Sequence, residues 1–268
     1  MLGITGYYLT PEDSEDFDSQ YVELRGAGKN NKRIDFLYAY INDIKAGLKG
    51  DPTEPVLLAL TANARRQLSI ELAESSQKAE AIEQIRTALG EVMPTGFYNV
   101  IHKCLRKAGD LHWELDDYET SAAYYQRALA YTSPVLTSEF STTLWYLARN
   151  WSRPETIDRA VLVFDWMLLL EPRNIGTFCD KYTAMARFGR IKDVEIAASS
   201  SMYNTCSNCA AIVAANFALK DRDKTLETAR IGFKMARREQ RSSGWVREFG
   251  KVLQGIGEYG APWLTSGL

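Results

Sequence analysis

"AGDLHWELDDYETSAAYYQRALAYTSP" runs from Ala108 to Pro134 and sets small residues and aromatics at a regular spacing, with a proline at its end. Tyr118, Ser121, Tyr125, Ala128 and Leu129 stand at offsets 0, 3, 7, 10 and 11, so they share one face of a helix. Small members of that face let a neighbouring helix approach, and large ones fill the gaps between. Upstream, Leu105, Gly109 and His112 mark a facing helix. Gly109 permits a close approach of two backbones that any side chain would hold apart, and His112 occupies a packing position, which makes it a buried core residue. Pro134 cannot continue the second helix and ends it.

The same grammar returns along the chain. "WYLARNWSRPETIDRAVLVFDWMLLLEP" puts Ala148, Trp151, Ala160, Phe164, Met167 and Pro172 at matching positions. Upstream, "AEAIEQIRTALGEVMP" matches at Ala81, Ile85, Ala88, Leu89 and Pro94. A weaker copy holds Phe178, Tyr182, Met185 and Ala198, and a better one Leu226, Ala229, Phe233 and Ala236. Corresponding alanines or their substitutes fall at 88, 128, 167, 201 and 236, at intervals of 40, 39, 34 and 35 residues. Ser201 in place of alanine marks its unit as degenerate.

These units resemble the tetratricopeptide repeat family, whose unit is about 34 residues of paired antiparallel helices. The resemblance spans about residues 62 to 241 and implies an all-α fold, an α-solenoid of antiparallel helix pairs. Longer loops or extended helices account for the two long intervals. A repeat stack must close its apolar ends, and two segments serve as caps. One is a helix over about 32 to 49, where Ile34, Leu37, Tyr38, Ile41 and Ile44 fall at three- and four-residue steps before "KGDP" stops it at Gly50. The other is "GWVREFGKVLQGI", with Trp245, Phe249, Val252 and Leu253 on one side.

Three segments follow. Residues 1–31, with five carboxylates between Glu12 and Asp18, form an acidic, loosely ordered arm. Residues 32–256 form the helical repeat domain, and 257–268 a glycine-rich tail that Trp263 anchors.

Composition bounds the function. The 268 residues are 46% hydrophobic and 25% charged, as in an ordinary globular protein. A formal charge of -2 argues against a chain built as a whole to neutralise phosphates. A helical-repeat RNA binder is the alternative, resting on the local charge of "KMARREQR" (Lys234 to Arg241). The N-terminus lacks the basic start and apolar core of a secretory signal, and no window reaches the roughly 18 apolar residues of a membrane span. Four cysteines at uneven spacing read as reduced structural thiols and agree with a cytoplasmic address.

Catalytic groups are sparse. His102 and His112 are the two histidines, and "RGAGKNNKR" (Gly26, Gly28, Lys29) lacks the spacing of a phosphate-binding loop and reads as a basic linker. "CSNC" (Cys206 to Cys209) has zinc-like spacing, but a zinc site needs about four ligands and no second pair exists. It reads as a helix start, and no cofactor or metal is expected. An enzyme with a site outside the repeats is a further alternative.

In the family the first helix of each unit lines a concave groove. Carried onto this chain, those positions fall on Lys103, Arg106, Asp110 and Trp113, then on Thr142, Trp145, Tyr146 and Arg149. Neighbouring units add Asn63 and Arg66 on one side and Asp180, Thr183 and Arg187 on the other. Five cations and three aromatics on one such surface suit an acidic or carboxylate-bearing peptide. Asp110 stands where the carboxylate-clamp pattern of some family members has an asparagine, which disfavours a chaperone C-terminal peptide. The acidic arm is a candidate occupant of the groove in cis. The expected role is a non-catalytic adaptor or scaffold, as part of a larger assembly or a self-associating chain.

Overall fold

Five of the described helices start where a side chain caps them. The computed structural model describes residues 21–24, 30–132, 137–239 and 243–257. The acidic arm up to Gln20, the linker at 25–29, Pro134 and Trp263 lie outside the described residues. Asp117 accepts from the Thr120 amide at 3.3 Å, Asn174 from Thr177 at 3.1 Å, Thr205 from Asn208 at 3.0 Å and Asp221 from Lys224 at 3.1 Å. Each opens a helix, and each such cap stabilises it by about 1 kcal/mol.

The described residues divide into two compact units, up to Thr143 and from Leu144 onward. The first holds α1 (Asn30–Gly47), α2 (Pro55–Glu74), α3 (Lys78–Val92), a 3-10 turn (Met93–Thr95), α4 (Tyr98–Trp113) and α5 (Tyr118–Leu129). The boundary falls within α6 (Thr137–Trp151). The second unit continues with α7 (Ile157–Leu170), α8 (Ile175–Arg187), α9 (Ile191–Ala198), α10 (Cys206–Ala218), α11 (Arg222–Arg238) and α12 (Ser243–Gly257). No strand element occurs among the described residues.

Four of the helix pairs turn back through the same device. After α2, α4, α8 and α10 one residue takes a left-handed conformation: Ser76 (φ 64°), Asp116 (φ 60°), Gly189 (φ 103°) and Lys220 (φ 61°). The next amide then reaches back five residues: Gln77 to the Leu72 carbonyl at 2.8 Å, Asp117 to His112 at 2.9 Å, Arg190 to Met185 at 2.8 Å, and Asp221 to Asn216 at 3.0 Å. This satisfies a carbonyl that the helix end would leave bare and reverses the chain in three residues, or four between α4 and α5. Between α6 and α7 the turn is longer and contains Pro154, and it lacks this bond among the described hydrogen bonds.

The quoted stretch packs as its spacing requires. Ser121, Tyr125 and Ala128 are buried on α5, and a Cβ added to Gly109 on α4 would stand 2.7 Å from a Tyr125 ring atom. The Ser121 hydroxyl donates to the Gly109 carbonyl at 2.8 Å, and Tyr125 donates to Asp110 at 2.7 Å. Ala88, Ala128, Met167 and Ala236 are all buried on second helices. Ser201 is not their counterpart: α9 ends at Ala198, its buried residue is Val194, and Ser201 lies exposed beyond it. The degenerate unit has lost half of its second helix.

Both predicted caps are helices. The first spans Asn30–Gly47, two residues earlier than its periodicity indicates at either end. It is tied to α2 by a buried ion pair, Arg33 to Glu71 at 2.7 Å, and Tyr21 also donates to Glu71. In the second unit α12 buries Trp245, Phe249 and Val252 against α11, where Gly232 leaves room for the Phe249 ring.

Candidate functional site

In the first unit the first helices of two successive pairs repeat one exposure pattern. Residues 61–70 of α2 and 101–110 of α4 alternate buried and partly open positions identically, 40 residues apart. The partly open places are Asn63, Arg66, Gln67 and Ile70 on α2, and Lys103, Arg106, Lys107 and Asp110 on α4. The guanidinium of Arg66 bonds the Asn63 side-chain oxygen at 3.1 and 3.2 Å, one turn away. Its neighbour Arg65 points the other way, buried against Glu91 at 3.0 Å and Gln84 at 2.5 Å. Consecutive arginines thus serve opposite purposes, one in the core and one on the face.

Asp110 is held by Tyr125, and burial pushes its carboxyl above the ordinary range, while the Tyr125 hydrogen bond and the charges of Lys107 and Arg106 pull the other way. It is therefore a packing acid of the α4–α5 pair. Trp113 closes α4, partly buried, and Thr142 is exposed on α6 with its hydroxyl bonded to the Ser138 carbonyl at 2.6 Å.

In the second unit Trp145 is the hub. Its indole nitrogen donates to Asp180 on α8 at 2.8 Å, its ring meets Tyr146 edge-on at 5.2 Å, and the Arg149 guanidinium lies 5.6 Å over it. Burial pushes the Asp180 carboxyl up, against the indole hydrogen bond. Thr183 is partly buried on α8. Arg187, exposed at the end of α8, sits 5.2 Å over the Phe188 ring. Lys181, which the sequence pattern did not single out, turns to Asp165 on α7 at 2.5 Å.

The histidines take other roles than their spacing implies. His112 is not core: its side chain is 20% exposed, stacks against Tyr124 and sets Nδ1 2.9 Å from Asp117. It stands in the last turn of α4, beside the reversal, where it steadies the acid that caps α5. His102 is the buried one, 1% exposed, with Nε2 2.9 Å from the Thr143 hydroxyl and Nδ1 3.8 Å from a Glu139 oxygen. Thr143 donates to the Glu139 carbonyl at 2.8 Å, so it accepts from Nε2–H, and Nδ1 is left without a hydrogen bond. Threonine, histidine and glutamate in this order resemble a nucleophile, base and orienting acid. Thr143 and His102 are sealed from solvent, however, and no substrate atom can reach them.

Cys206 and Cys209 are buried at the start of α10, behind the Thr205 cap, and burial pushes the Cys206 thiol up to about 11. They are protonated packing residues at neutral pH. No group of three or more metal-ligating side chains occurs among the described residues, and no described helix is long and apolar enough to cross a membrane.

Neither a protein-family model nor a curated protein matches this chain. Solved structures do. A putative kinesin light chain of P. anserina with nearly identical TPR-like repeats shares 12% identity, with 87% of this chain and 99% of that one covered, at a TM-score of 0.51. BtubC from P. vanneervenii covers 86% of this chain and 85% of its own at 13% identity and a TM-score of 0.45. The TPR2AB domain of yeast Sti1, solved in complex with pHSP90, covers 92% and 99% at 15% identity and a TM-score of 0.35. At 12% identity and a TM-score of 0.51, the likeness to the kinesin light chain speaks for the fold alone. With the helix pairs and their shared reversals, the chain has a tetratricopeptide-like, all-α solenoid fold with divergent repeats.

Proposed function

We propose that this protein is a non-catalytic adaptor that binds an acidic or carboxylate-bearing peptide segment on the partly open faces of its first helices. The observation that carries the reading is the repeated register on α2 and α4, which offers Arg66, Lys103 and Arg106 at successive open positions. Arginine bonds a carboxylate through two parallel donors, and lysine adds charge without fixed geometry. In the second unit Trp145, Tyr146, Arg149 and Arg187 supply aromatic area and charge, with Trp145 oriented by Asp180. Trp113 extends the apolar contact at the end of α4. Buried, reduced thiols at all four cysteines fit a cytoplasmic setting.

The test compares binding of acidic, neutral and basic ten-residue peptide pools by fluorescence polarisation, at low and at physiological salt. Wild type is expected to prefer the acidic pool and to weaken with salt. Arg106→Glu with Arg149→Glu should abolish that preference while the helical circular dichroism stays unchanged. Equal binding of all pools, or an undiminished acidic preference in the double variant, would refute the reading. Affinity capture from native extract with the same pair of proteins then identifies the partner that only wild type retains.

A further inference from the structure

The helix α7 reads "IDRAVLVFDWMLLL", apolar nearly all the way round. One side of it is core: Ile157, Ala160, Val163, Phe164 and Met167 are buried. The opposite side stays open, with Leu162 69% exposed, Trp166 54%, Leu169 77% and Leu170 43%. These fall four, seven and eight residues after Leu162, a single stripe down the helix. Val161 and the Ala197–Ala198 end of α9 share one cluster, and Asp158 pairs with Arg190 at 3.1 Å, so α7 and α9 are neighbours. On and just after α9, Ile191, Ile196, Met202 and Tyr203 are exposed as well. Eight of the ten exposed large apolar residues among those described therefore belong to this region of the second unit.

At roughly 200 Å² for a fully open large side chain, the four α7 residues expose about 500 Å² and all eight about 900 Å². The α7 stripe alone is at the upper end of what a monomeric protein leaves open, and the whole region matches the roughly 800 Å² that each partner contributes to a standard interface.

The charges around the stripe decide what covers it. Leaving aside Pro154 and Pro172, which are exposed where the chain enters and leaves the helix, the exposed positions are Asp158, Arg159, Leu162, Trp166, Leu169 and Leu170 on α7, with Glu155 just before it and Arg173 just after. Turned end for end about the midpoint between Leu162 and Trp166, this set maps onto itself. Leu162 then meets Trp166, Arg159 meets Leu169, Asp158 meets Leu170, and the acid Glu155 meets the base Arg173. A partner of one charge sign would call for a rim of the opposite sign, whereas a rim acidic at one end and basic at the other is complementary to an inverted copy of itself.

We infer that α7 is a dimerisation helix: two copies of this chain pack their α7 stripes antiparallel about a two-fold axis, with Leu162 against Trp166 and Glu155 against Arg173 of the second copy. The stripe lies on a second helix, apart from the first-helix faces assigned to peptide binding, so either reading stands or falls without the other.

Sedimentation velocity of the full chain over about 1 to 100 µM tests this, a range that brackets the affinity of a modest standard-size interface. A species of twice the chain mass is expected, and Trp166→Glu with Leu169→Glu should convert it to monomer with helical circular dichroism unchanged. Glu155→Arg should weaken the dimer at least about tenfold, and adding Arg173→Glu should restore it, since the reversed pair is again complementary. Should the glutamate variant misfold, the Leu162→Cys, Trp166→Cys double variant provides a separate reading, because it must cross-link into covalent dimers under mild oxidation. A wild-type monomer at every concentration overturns the proposal, as does a dimer indifferent to the stripe and to the charge swap. A chain that dimerises only once residues 258–268 are removed would make its own tail the occupant, and would equally overturn it.

Discussion

Gly109→Ala isolates the contact on which the α4–α5 pair is built. The new Cβ would lie 2.7, 2.9 and 2.9 Å from Cε1, Cδ1 and Cζ of Tyr125, against the 3.5–4.0 Å at which carbon atoms rest. The ring has no free direction to yield. Tyr125 is 2% exposed, its hydroxyl is held by Asp110 at 2.7 Å, and Ser121 fastens the same turn of α5 to the Gly109 carbonyl. Overpacking of this kind costs about 1–3 kcal/mol, and separation of Tyr125 from Asp110 would add about 1–3 kcal/mol for the buried carboxyl. Against this, alanine is favoured over glycine in a helix by about 1 kcal/mol. The balance is a destabilisation of about 1–5 kcal/mol, or roughly 2–20 °C in Tm for a chain of this size. Urea unfolding of Gly109→Ala, Tyr125→Leu and the double variant completes the test. Because leucine vacates the space the Cβ would claim, the double variant should lose at least about 1 kcal/mol less than the two single losses combined. An unchanged or raised urea midpoint for Gly109→Ala, or strict additivity, would show that the helices are not in the close contact described.

Burial holds the His102 imidazole down to about 4, below its usual 6.5, with the charges of Arg106 and Lys103 acting in the same direction and Glu139 against it. The unfolded chain thus binds a proton there first, and stability falls as pH drops from about 7 towards 4, by up to about 3 kcal/mol. Urea midpoints across that range should show a steeper fall for wild type than for His102→Gln, and parallel profiles would refute it. Glu71→Ala removes the nearer carboxylate of the Arg33 guanidinium and leaves Glu74 at 3.8 Å, so a loss of up to about 3–5 kcal/mol is expected, and a loss below 1 kcal/mol would count against a buried pair. Trp145→Phe removes the donor to Asp180 and should cost about 1–3 kcal/mol, much of it recovered when Asp180→Leu is added; a purely additive double variant would contradict the linkage.

Much of the fold is written in local periodicity. The α5 face of Ser121, Tyr125 and Ala128, the close approach at Gly109 and the capping stripe of Trp245, Phe249 and Val252 depend on spacing along one helix, which a sequence displays directly. The reversals were harder to see. Ser76, Asp116 and Lys220 adopt a left-handed conformation that composition assigns to glycine, and only Gly189 announces it. Counting alanines in place of those turns put a packing position at Ser201, beyond the end of α9.

On the candidate face, residue type along the chain shows which side chains have the chemistry, cations and aromatics recurring on first helices. Tertiary structure decided which way each points: Arg65 inward and Arg66 outward, His102 sealed and His112 at a turn, Asp110 bound to Tyr125. The α7 stripe shows the reason most clearly. Repeat spacing already put Ala160, Phe164 and Met167 on the helix's packing face, but the large apolar residues opposite give no sign of whether a neighbour covers them, and only the packed structure leaves Leu162, Trp166 and Leu169 exposed.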